Sequence, residues 1–77
     1  MRTFERYNLN FQNIIDAPNE ILNNFFNEVS REELISWLSW NDRNGIYEDR
    51  YSIMEFGNVM TKEKGIEIMR KQIEESI

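Results

Sequence analysis

Oxygen donors gather around a glycine in one stretch of this 77-residue chain, Asn41-Asp42-Arg43-Asn44-Gly45-Ile46-Tyr47-Glu48-Asp49. Such a grouping can hold calcium, and an EF-hand loop keeps a Gly at its sixth position for the sharp turn. With Gly45 in that place, Asp42 and Asn44 fall on positions three and five. Trp40 then stands where the first Asp belongs, and Tyr51 where the bidentate Glu belongs. Two of the strongest ligands are missing, so the spacing argues against a metal. The same residues have a plainer use: Asn, Asp and Gly end one helix, and Asp49 caps the next.

Catalytic chemistry has little to work with. The chain has no Cys and no His, which removes the thiol nucleophile and the commonest general base. Ser36 and Ser39 flank Trp37 without a local base or an oxyanion-hole loop. A carboxylate pair acting as acid and base needs a cleft that so short a chain can hardly enclose. The three glycines, at 45, 57 and 65, form no phosphate-cradling pattern. The expectation is a chain that is not an enzyme and takes no cofactor or metal.

Charge narrows the partners. Fourteen acids against nine bases give a net −5. Residues 1–15 sum to +1, residues 16–49 carry eight acids against Arg31 and Arg43, and residues 50–77 carry five of each sign. The acidity therefore belongs to the middle of the chain. Nucleic-acid affinity comes largely from Lys and Arg neutralising phosphates, so direct nucleic-acid binding is not expected. An anionic membrane surface would repel the chain, and no run of eight apolar residues offers a span. The absence of Cys and of an apolar leader in residues 1–6 leads to an expected cytoplasmic location. A protein partner with a basic surface remains open.

The elements that must position these residues are helical. Residues 17–29 carry Ile21, Leu22, Phe25, Phe26 and Val29 on one stripe, with Asp16 expected as the N-cap and Pro18 in the first turn. Ser30-Arg31-Glu32-Glu33 is a capping box that opens a helix over about 31–43. Asn44-Gly45 is expected to stop it, with Gly45 taking the left-handed C′ position. A hairpin about Asn44-Gly45 would set Trp40 opposite Asp49, and is rejected. A third helix is expected over 50–56, with Ile53 and Phe56 inward and Gly57-Asn58 as its break. Thr61 caps a last helix over 62–75, with Ile66, Met69, Ile73 and Ile77 on its stripe. Its outer face is laced by Glu67–Lys71, Arg70–Glu74 and Lys71–Glu75, and Gly65 suggests a close helix crossing. The opening segment (Thr3, Glu5, Tyr7, Leu9, Phe11) alternates at period two and is expected to run extended, with a helical turn at 11–15 as the alternative. The expected fold is all-α: one domain over 1–77, a small compact bundle of three to four short helices with an irregular or extended N-terminal arm.

Trp40 is the sharpest clue to a working surface. With Leu34, Ile35, Trp37 and Leu38 it widens the apolar arc of its helix to about 220°, more than the ~100° stripe a surface helix needs. Either the N-terminal arm covers the excess through Tyr7, Leu9 and Phe11, or the surplus is a docking patch. The candidate partner-binding residues are Trp37, Trp40, Asp42, Arg43, Tyr47, Glu48, Asp49 and Tyr51, because Trp, Tyr and Arg anchor protein interfaces. Three functions fit. One is a small adaptor or inhibitor that binds a larger protein through this aromatic and acidic surface. Another is a phage or mobile-element mimic of nucleic acid that blocks a basic channel. The third is a homo-oligomer, for which Ile68, off the main stripe of its helix, marks a dimer contact.

Overall fold

Every regular element of this computed structural model, which describes residues 3–75, is helical. The order is α1 (Thr3–Arg6), a 3-10 turn (Asn13–Asp16), α2 (Asn19–Glu28), α3 (Arg31–Asn41), α4 (Asp49–Phe56) and α5 (Lys62–Glu75). The radius of gyration is 12.3 Å, close to the ~11.5 Å of a compact chain this long. Ile77, expected on the last stripe, lies outside the described residues.

The N-terminal segment is folded rather than extended. Asn8, at φ 56°, closes α1: its amide bonds to Glu5 O, and the Leu9 amide reaches Phe4 O. This pair of bonds is a Schellman cap, with Asn supplying the left-handed residue that usually falls to Gly. Asn10 then organises the next turn, its side-chain oxygen accepting from the amides of Gln12 and Asn13. The period-two pattern misleads here because these local bonds give the backbone a cheaper partner than a strand ladder.

α2 starts later than its stripe suggests. Pro18 disfavours the helical conformation in the residue before it, so Ala17 is extended and Pro18 becomes the N-cap. Asp16 ends the 3-10 turn instead of capping α2. The expected stripe goes inward: Leu22, Phe25, Phe26 and Val29 are buried, and Ile21 is half-buried. Each such burial stabilises the fold by roughly 1.5–3 kcal/mol.

The core lies where α1, α2, the 3-10 turn, α3 and α5 converge. Phe25, Ile14, Val29, Leu34, Trp37, Leu38 and Met69 are its fully buried members. Aromatic rings step through it: Phe25 meets Phe26 at 5.3 Å and Phe4 at 4.8 Å, and Phe4 meets Phe11 at 5.1 Å. The Trp37 indole is buried, and its N–H donates to Phe11 O at 3.0 Å. Gly65 is where α5 crosses α3: a Cβ there would stand 3.3 Å from Leu34 Cδ1 and 3.1 Å from Met60 Cε.

α5 begins as its sequence indicates, with the Lys64 amide donating to Thr61 Oγ1 at 3.1 Å. Its cations are used differently. Arg70 lies 4.5 Å over the Phe26 ring and donates to Asn23, stapling α5 to α2. Among the described residues, the ion pair along α5 is Lys64–Glu67 at 3.6 Å rather than the three expected pairs.

Candidate functional site

α3 aims the candidate residues, and side-chain bonds fix its first turn. The capping box forms: the Glu33 amide donates to Ser30 Oγ at 3.2 Å, and the Ser30 amide donates back to Glu33 Oε1 at 3.4 Å. The same carboxylate also receives the Thr3 amide and hydroxyl, both at 2.9 Å. Glu33 thus sits at the N-termini of two helices at once, where their dipoles favour negative charge. Burial pushes its carboxyl up. The bonds from the Thr3 hydroxyl and the Ser30, Thr3 and Phe4 amides outweigh that and hold it below the ordinary glutamate value.

At the far end of α3 the two tryptophans part company. Trp37 belongs wholly to the core and offers no surface to a partner. Trp40 remains 45% exposed, leaning one face on Phe11 at 5.5 Å. The N-terminal segment therefore covers part of the wide arc and leaves the rest open.

The loop after α3 is built by Tyr47. Its ring folds back over Gly45 so closely that a Cβ there would collide with it. The hydroxyl donates to Asp42 Oδ2 at 2.6 Å and accepts from Gln72 Nε2 at 3.0 Å. Burial, and then the bond to Asp42, push the Tyr47 hydroxyl above its ordinary pKa. Gly45 is not in the left-handed region; Gly57, at φ 78°, is the glycine that uses it, as the C-cap of α4. α3 ends earlier than expected, at Asn41, with Asp42 as its C-cap. Asp42 faces Tyr47, and among the described residues no group of three or more acidic side chains is placed to hold a metal ion.

Asp49 does not cap α4 either. Glu48 holds that position without a side-chain bond, and Asp49 is the first residue of the helix. Its carboxylate takes both Arg31 guanidinium nitrogens at 2.6 Å, the bidentate geometry of a charge-assisted pair. Arg31 also donates to Met60 O at 3.2 Å, so one side chain ties the starts of α3 and α4 to the turn before α5. Arg31 holds the Asp49 carboxyl below the usual range. Arg43 is exposed and lines a shallow depression with Gly45, Tyr47, Glu48 and Tyr51.

The largest open apolar surface lies one element further on. Only Ser52 of α4 is buried. Tyr51 is 47% exposed, Ile53 55%, Met54 77%, Phe56 64% and, just past the helix, Val59 39%. Ile53 and Phe56 thus face outward, contrary to expectation. Beside this ridge runs a groove of about 630 Å³ between α4 and α5, with Ile46, Phe56, Val59, Met60 and Ile68 among its walls. Of the predicted residues, Tyr51 alone belongs to the ridge. Its ring carries the Arg50 guanidinium at 4.8 Å, and Arg50 Nη2 donates to its hydroxyl at 2.9 Å. A signal for the rest was present. At 100° per residue, Phe56, Ile53, Met54 and Tyr51 sweep about 220°, and the gap they leave holds Ser52 and Glu55. A two-turn helix with so wide an apolar arc and a small buried residue cannot bury all of it.

Comparison with protein families, curated proteins and solved structures finds no match. The site has to be read from its own geometry. Among the described residues, no helix is long and apolar enough to cross a membrane.

Proposed function

We propose that this chain is a non-catalytic protein-interaction module whose working surface is the apolar ridge of α4 with the groove behind it. One observation carries this reading: α4 and the turn after it expose five large hydrophobics, Tyr51, Ile53, Met54, Phe56 and Val59, while the helix buries only a serine. Scattered apolar side chains on a surface need no explanation, whereas five large ones within nine residues, beside a groove, mark a contact site. Arg50 stacked on Tyr51 adds the residue types that interfaces favour. The surface expected around residues 37–51 thereby moves about one helix along the chain.

Mimicry of nucleic acid gains less support. Of the eight carboxylates in residues 16–49, Glu28, Glu33, Asp42 and Asp49 are bonded inside the fold. They fix helices and the loop after α3 rather than line up for a basic channel.

Site-directed photo-crosslinking tests the reading. With a photoreactive phenylalanine analogue in place of Phe56, irradiation in the cell of origin should give discrete protein adducts. The same analogue at exposed Glu20 on α2 should give none. An adduct pattern at position 56 no different from that at position 20 overturns the proposal.

A further inference from the structure

We infer that the occupant of the α4 ridge is a second copy of this chain, related by a two-fold axis; the inference rests on the interaction surface proposed above and names its partner. Area comes first. At roughly 200 Å² per side chain of this size, the exposures at Tyr51, Ile53, Met54, Phe56 and Val59 leave on the order of 500 Å² of largely apolar surface. A stable interface takes about 800 Å² from each partner. The five supply more than half of that value, Ile46, Met60 and Ile68 in the groove extend the apolar area, and no other surface of the described residues exposes as many large hydrophobics.

Charge then selects the partner. Residues 16–49 carry a net −6, so two copies meeting there would repel, and a basic partner would be drawn there. Residues 50–75 hold five bases and five acids. On α4 itself Asp49 is already neutralised by Arg31, which leaves Arg50 and Glu55, one of each sign. An acidic chain can approach its own copy through this balanced face without net repulsion. A two-fold axis through α4 sets each copy's Ile53 and Met54 against those of the other, the self-complementary contact of a two-fold interface.

Light scattering across the micromolar range, with two paired variants, decides the matter. The wild-type chain should rise with concentration from 9.4 kDa towards twice that mass. Ile53→Glu with Met54→Glu, and separately Ile53→Lys with Met54→Lys, should each stay at the monomer mass with unchanged helical circular dichroism. Mixed in equal amounts, the two variants should recover the doubled mass, because opposite charges now face each other across the axis. If either double variant loses helicity, Met54→Glu and Met54→Lys alone serve as the pair, since Met54 is the most exposed of the five. A wild-type chain that stays at 9.4 kDa throughout overturns the second-copy assignment, as do variants that dimerise like the wild type or a mixture that stays monomeric. Position-56 adducts on a different protein together with a monomeric chain remove the second copy and leave the interaction surface standing. No adduct and no dimer remove both.

Discussion

α2 and α4 are both short helices rich in large apolar residues, and the fold treats them in opposite ways. α2 sends Leu22, Phe25 and Phe26 into the core, where Phe25 lies between Phe4 and Phe26 and Arg70 reaches across to cover Phe26. α4 turns Ser52 inward and leaves Tyr51, Ile53, Met54 and Phe56 in water. What holds α4 is polar and sits at its ends: the Arg31–Asp49 pair before it, the Tyr47–Asp42 bond in the loop, and the left-handed Gly57 after it. Directional bonds can place a helix without consuming its apolar face. That division of labour leaves the apolar face of α4 open, whereas α2 is spent on stability.

The contrast is broken first by attacking the packed half. Trp37→Ala removes a fully buried indole and the bond to Phe11 O that ties the N-terminal segment to α3. A loss of about 3–5 kcal/mol is expected, which equals much or all of the stability of a domain this size. Urea unfolding followed by circular dichroism should show a chain unfolded, or nearly so, in buffer. A stable Trp37→Ala variant would mean that the core lies elsewhere.

Acid should act next, through the polar ties. The Glu33 carboxyl is held below its ordinary value, and so is that of Asp49. A folded-state pKa below the unfolded one contributes stability that is fully present above the unfolded value, about 4 for these groups. It is lost as pH falls through the folded value. Urea midpoints should therefore hold level from about pH 9 down to pH 5, since the chain has no His to titrate between them. They should fall below pH 4. Glu33→Gln should flatten part of that fall, and an unchanged acid limb in this variant would show that the double-helix-terminus bond contributes nothing.

How much of this was legible beforehand follows from the range of each interaction. The Ser30–Glu33 capping box spans three residues and depends on those two side chains, so it could be read directly. The α2 stripe spans three turns and averages over local noise. Asp49 looked like a cap because its partner, Arg31, is eighteen positions away. Gly45 looked like a left-handed stop because the Tyr47 ring that needs its missing Cβ arrives only when the loop closes. Arg70 was assigned to its own helix, although its bonds run to Asn23, forty-seven positions back. The exposed apolar face of α4 is hard to foresee for the same reason. A two-turn helix carries too little pattern to show which side its neighbours will cover, and four of the eight carboxylates that make residues 16–49 acidic are satisfied within the chain.

The smallest expected effect separates the two helices most cleanly. Met54→Ser removes an apolar side chain that is 77% exposed, so the folded monomer loses almost no buried area. Surface substitutions of this kind usually change stability by no more than about 0.5 kcal/mol. Phe25→Ser, the matching change on α2, would empty a buried site and strand a hydroxyl among aromatic rings, with a cost of several kcal/mol. The measurement is a pair of urea titrations at low protein concentration, where a dimer would be dissociated and the monomer's own stability is read. Near-identity of Met54→Ser with wild type shows that the folded monomer draws almost none of its stability from Met54. A loss comparable to that of Phe25→Ser would place Met54 in the core and abolish the distinction between the two helices.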